Sequence, residues 1–127
     1  MDLPTPPQQP GTSADCRPIS QMLGRIGDKW TIMTITMLLD GPKRFNELRR
    51  AIGGISQQML TRTLRALEND GLVSRRVYPT IPPQVEYSLT TLGKSLAEPL
   101  TQLTVWVLQN IAEVERNRSK AADSSVD

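Results

Sequence analysis

Residues 45–89 constrain this chain more than any other stretch of its 127 residues. An amphipathic segment with Phe45, Leu48 and Ile52 as its apolar positions ends at Gly53-Gly54. Ile55-Ser56 opens a second segment, with Leu60, Leu64 and Leu67 at helical spacing, and Asp70-Gly71 closes it. Two runs rich in β-branched and aromatic residues follow, 73–78 and 85–89. Between them lies Pro79-Thr80-Ile81-Pro82-Pro83, too long for a two-residue turn and stiffened by three prolines into a protruding tip. Helix, tight turn, helix and hairpin in this order predict a winged helix-turn-helix, a mainly α fold with a small β-hairpin (α+β).

The polar face of the second helix points to a partner. Ser56 is a good N-cap, and Gln58, Thr61, Arg62 and Arg65 share the face opposite the leucines. A face that needed only solubility would favour Glu and Lys. Gln, Thr and Arg instead offer directed donors and acceptors suited to base edges and phosphates. Ser56, Gln57, Gln58, Thr61, Arg62 and Arg65 are therefore candidates for base and nearby phosphate contacts. Arg44, Asn46, Arg49, Arg75 and Arg76 are candidates for phosphates. For Arg75 and Arg76, protection of an edge strand by charge is the alternative.

Charge supports the same partner. The chain carries +2 overall, but between Gly41 and Arg76 eight Lys/Arg face three acids, so that segment nets +5 and the remainder −3. Concentrated in the helix-turn-helix segment, the excess favours a polyanion, and double-stranded DNA fits better than a membrane surface because no long apolar stretch adjoins it. The longest apolar candidate, residues 30–39, is half the length a spanning helix needs. A chain without histidine, with one cysteine and with no phosphate-cradling glycine loop is not expected to be an enzyme or to hold a metal or cofactor. A lone cysteine and no leader pattern make the cytoplasm the expected compartment.

Outside the central segment, residues 1–14, with four prolines among polar residues, read as a disordered arm, and 119–127 as a disordered tail. That leaves one domain over 15–118. Its first helix is expected to open with Pro18 in the first turn and to carry Ile19, Met22, Leu23 and Ile26. Asp28 caps a second helix reaching Asp40, with Trp30, Met33 and Met37 along one core stripe. A last helix over about 92–118 has Thr90 or Thr91 as its cap and a stripe through Leu96, Leu100, Leu103, Val107, Ile111 and Val114, widened by Trp106 and Leu108. Pro99 predicts a kink or a broken first turn. A domain this small with five aromatics gains from burial against a second copy. Ile19, Met22, Leu100, Leu103, Trp106, Val107 and Ile111 are the expected homodimer interface, with packing inside one chain as the alternative.

Asp28-Lys29-Trp30, Gly41-Pro42-Lys43-Arg44-Phe45-Asn46-Glu47-Leu48, Ile55-Ser56-Gln57-Gln58-Met59-Leu60-Thr61, Leu67-Glu68-Asn69-Asp70-Gly71-Leu72-Val73 and Pro82-Pro83-Gln84-Val85-Glu86-Tyr87-Ser88-Leu89-Thr90 closely resemble the HxlR family of bacterial regulators, relatives of the MarR group. The resemblance covers about residues 15–110. It implies a sequence-specific transcriptional regulator, expected to be a repressor, acting as a homodimer on a pseudo-palindromic operator. Residues 56–69 would be its reader, 73–89 its wing, and the first and last helices its dimerisation elements. Some family members sense oxidants or electrophiles through a cysteine just ahead of the first helix, the place Cys16 occupies. Arg17 and the helix start favour a thiolate there while Asp15 opposes it, and an ordinary thiol on the arm is the alternative. An oxidant or small-molecule effector is thus an open partner. The rival function is a winged helix used for protein–protein contact without specific DNA binding.

Overall fold

A computed structural model describes residues 13–124 of the chain, and side chains from 16 to 123. The order is α1 (Ser13–Ile26), α2 (Lys29–Leu38), β1 (Lys43–Arg44), α3 (Phe45–Ile52), α4 (Gln57–Asn69), β2 (Val73–Tyr78), β3 (Gln84–Leu89) and α5 (Thr91–Ser124). The winged helix-turn-helix expected from the sequence is present. Leu48 and Ile52 of α3, Leu60, Leu64 and Leu67 of α4, and Ile35 and Leu38 of α2 meet Val73, Leu89, Ala97 and Leu100 in one core.

Several boundaries differ from the sequence reading. Helix α1 begins at Ser13, so Pro18 lies in its second turn instead of its first. As the sixth residue of the helix, Pro18 supplies no N–H to the Ala14 carbonyl four positions back, yet the helix continues through it. Residues 13 and 14, read as arm, are thus helical, while 1–12 lie outside the described residues. At the other end, α5 continues through 119–124, read as tail, because Lys120, Ala121 and Ala122 favour helix and nothing there stops it. Residues 125–127 lie outside the described residues. Helix α5 also runs unbroken through Pro99, which faces solvent.

In α2 the buried stripe is Thr31, Thr34, Ile35 and Leu38. Trp30, Met33 and Met37, expected along the core stripe, are half-buried and pack against the core's margin. Periodicity could not choose between two adjacent faces that both carry large apolar side chains. Buried Thr34 has a hydroxyl with no hydrogen-bond partner. Replacing it by near-isosteric valine is expected to stabilise the domain by about 1–2 kcal/mol, since an orphaned buried polar atom costs its desolvation. A lower urea midpoint for Thr34→Val would contradict this.

The sheet has a third strand that sequence reading missed. β1 pairs antiparallel with β3, Lys43 opposite Tyr87 and Arg44 opposite Glu86, giving the order β1-β3-β2. Two residues are too few to show a period of two. β2 is therefore an edge strand, in register with β3 from Val73–Leu89 to Tyr78–Gln84.

The junction of α4, β2 and α5 is tightly bound. Helix α4 closes with Leu72 N–H on Leu67 O (2.9 Å) and Gly71 N–H on Glu68 O (3.0 Å), the paired bonds of a Schellman stop. Thr90 then caps α5, as one of the two expected candidates. Its Oγ1 accepts from Gly93 N–H (3.1 Å) and donates to Gly71 O (2.6 Å), while its N–H donates to Leu72 O (3.1 Å). The start of α5 thereby lies directly on the backbone leaving α4.

Candidate nucleic-acid interface

The α3–α4 connection depends on Gly53 and Gly54, with φ of 72° and 74°, a left-handed pair that side chains rarely tolerate in succession. The turn places Ile55 in the core and frees Ser56 to cap α4, its Oγ accepting from Met59 N–H at 3.0 Å. With Leu60, Leu64 and Leu67 buried, the opposite face must point outward. Gln57, Gln58, Thr61, Arg62 and Arg65 do line one shallow open surface along α4. Thr61 is half-buried and donates its hydroxyl to Gln57 O (2.9 Å), so within the chain its donor is occupied.

A second hollow surrounds the turn, formed by Asn46, Arg49, Arg50, Gly53, Gly54, Ile55 and Ser56. A third lies between α3 and the start of β3, with Arg44, Asn46, Arg50, Gln84 and Val85 among its walls. Asn46 and Arg50 belong to both, so a continuous surface runs from the wing past α3 to the start of α4. Arg50 was not among the sequence candidates, although the apolar stripe of α3 leaves it exposed and the basic segment contains it. Arg44 ends β1 and is exposed, its backbone N–H donating to Glu47 Oε1 at 2.9 Å. Arg49 gives its Nε–H to Ile55 O (3.2 Å) and so braces the turn as well as facing the hollow.

Arg75 and Arg76 do not act alike, because neighbours along a strand point to opposite faces. Arg75 shares the core-side face with Val73 and lies 3.5 Å from Glu68 Oε1 of α4. Arg76 sits on the outer face, its guanidinium 4.8 Å from the Tyr78 ring centre and opposite Glu86 in register. Tyr78 in turn donates its hydroxyl to Glu86 Oε1 at 3.1 Å. Burial pushes the Tyr87 phenol above its ordinary range, the Glu68 charge adding to the rise while Arg75 and Arg65 oppose it. Arg65, Glu68, Arg75 and Tyr87 are thus electrostatic neighbours where the sheet meets α4. The tip beyond is bare, with Ile81 fully exposed.

The expected dimer residues divide. Leu100 is 3% exposed and belongs to the chain's own core, and Met22 is half-buried against it. Leu100 is therefore corrected from interface to core, because α5 lies on the domain only as far as that residue. Ile19, Leu103, Trp106 (56% exposed), Val107 and Ile111 stay uncovered, as do Val105 and Leu108. Cys16 is exposed and is the fourth residue of α1, within the helix instead of ahead of it. Among the described residues no His, Cys, Asp or Glu cluster has metal-binding geometry, and no helix is long and apolar enough to cross a membrane.

Comparison with known proteins agrees with this fold. The HTH-type transcriptional regulator YtfH of Escherichia coli (strain K12) is 41% identical over 105 residues, covering 83% of both chains. The solved structure of a transcriptional regulator ytfH from Salmonella typhimurium superposes with a TM-score of 0.75 at 39% identity, covering 80% of this chain and 91% of that one. The redox regulator HypR in its reduced form superposes with a TM-score of 0.72 at 44% identity, covering 78% of this chain and 98% of that one. The model for HxlR-like helix-turn-helix proteins matches residues 25–115. By this match and by its kinship to these regulators, the chain belongs to the HxlR-like helix-turn-helix family of transcriptional regulators.

Proposed function

We propose that this protein is a repressor that binds a pseudo-palindromic DNA operator as a homodimer, laying α4 of each subunit in successive major grooves about 34 Å apart. The observation that carries the reading is the α4 face: Gln57, Gln58, Arg62 and Arg65 exposed together on a helix whose other side is locked into the core. A module adapted to protein contact would have no need to keep that face basic and amide-rich. The uncovered apolar residues of α5 beyond Leu100 support a twofold mate. Repression requires only that the bound dimer occlude the promoter.

Selection from a random DNA pool, followed by titration of the selected fragment, tests the reading. Affinity is expected to fall steeply with salt, log K losing about 0.9 per neutralised phosphate for each decade. Arg62→Ala is expected to weaken binding by about 1–3 kcal/mol and to relax preference at one base position. A flat salt dependence, or no enriched sequence, would refute specific DNA binding. Exposed Cys16, together with the description of HypR as a redox regulator, favours oxidation as the regulating signal. Repeating the titration with diamide, which takes two electrons as paired thiols join, decides it. The wild type should release DNA or change affinity, and Cys16→Ser should not. Equal responses would exclude the cysteine.

A further inference from the structure

The two ion pairs found among the described residues both end at the C-terminus of α4, one on Glu68 of its last turn and one on its C-cap Asp70. From one side, Arg25 in the last turn of α1 places Nη1 2.7 Å from Asp70 Oδ2 and 3.3 Å from the Ala66 carbonyl. From the other, Arg75 of β2 places Nε 3.5 Å from Glu68 Oε1. Glu68 and Asp70 are two positions apart, so they leave the helix on different flanks. Arg25 also holds a positive charge against the carbonyl end of α4, where the helix dipole favours it. Taken as a group, the four side chains are neutral. They offer no net attraction to a polyanion.

We propose that this turn is a charge clamp. Arg25 and Arg75 are positioning residues that set the angle of α4 against α1 and against the wing, and neither is a phosphate ligand. The inference rests on the reading that α4 lies in a DNA groove, and it reassigns Arg75 from the phosphate contacts expected from sequence. It joins three elements at one place: α1 with Cys16 and the uncovered Ile19 and Leu23, the reader helix, and the wing. The tilt at which α4 is presented then follows the placement of α1 as well as that of the sheet.

The test uses the full chain and a DNA fragment selected as above. Arg25→Gln, Asp70→Asn, Arg75→Gln and Glu68→Gln are each expected to weaken binding roughly three- to ten-fold, as partly exposed charge-assisted pairs would. Combining the two substitutions of one pair should cost no more than either alone. The salt slope should stay at the wild-type value throughout, and Arg25→Lys should recover most of the affinity. If Glu68→Gln tightens binding and Arg75→Gln lowers the slope by about 0.9, Arg75 is a phosphate ligand and the clamp is refuted. Single variants that bind like the wild type refute it as well.

A second arm needs no DNA. Amide exchange at Asp70 and Gly71, whose N–H groups close α4, should speed up in Arg25→Gln and return towards normal in Arg25→Lys. Unchanged exchange overturns the clamp. A wild-type protein that binds no DNA sinks the function proposed above while this arm still decides the clamp. Should Arg25→Gln fail to fold, Asp70→Asn against Arg25→Lys carries both arms.

Discussion

Gly93→Ala is expected to destabilise the domain by about 3–5 kcal/mol, a large part of the roughly 5–15 kcal/mol that holds an ordinary domain folded. Inside a helix this exchange normally stabilises by about 1 kcal/mol, because alanine is the better helix former. Here the added Cβ would lie 2.1 Å from the Leu72 carbonyl oxygen and 3.2 Å from Leu89 Cδ2. The first of these atoms is backbone, fixed by the bond it accepts from Thr90 N–H, so it cannot swing aside. Relief requires α5 to move off the α4–β2 junction, taking Ala97 and Leu100 out of the core. Urea unfolding monitored by circular dichroism measures the loss. A midpoint equal to or above that of the wild type would show that α5 does not approach Leu72 so closely.

Trp106→Glu has the larger expected effect on DNA binding. Trp106 is exposed within the chain, so a charge there costs the single subunit little, whereas between two subunits it would be buried without a partner. The variant should sediment as a monomer with a melting temperature that no longer rises with protein concentration. Its affinity for a two-half-site fragment should drop roughly a hundred-fold or more, since the second reader no longer binds at the high local concentration that linkage provides. A dimeric Trp106→Glu protein with wild-type affinity would place the twofold contact elsewhere or remove it.

Local chemistry with a strong period was legible in the sequence. The α3 and α4 stripes, the Ser56 cap and the outward Gln58, Arg62 and Arg65 all follow from spacing, because one face of each helix is forced inward. What escaped depends on pairing across distance. β1 is two residues long and exists only through its bonds to β3. Arg25 and Asp70 lie 45 positions apart and carry no motif, yet meet at 2.7 Å. Arg75 and Arg76 looked alike until the pleat sent one toward Glu68 and the other over Tyr78. Leu100 fits the α5 stripe as well as Leu103 does, and only the point where the helix leaves the domain separates a core leucine from a surface one.

The hairpin tip carries no charge from Pro79 through Val85, and Ile81 stands clear of every other side chain's shelter. Any grip this end of the wing takes on a duplex must therefore come from shape, dispersion and hydrogen bonds of neutral groups such as the Gln84 amide, without the counterion release that a cationic contact brings. Raising ionic strength would weaken any attraction owed to the arginines but leave that grip intact, so the tip's relative share of discrimination should grow as total affinity shrinks.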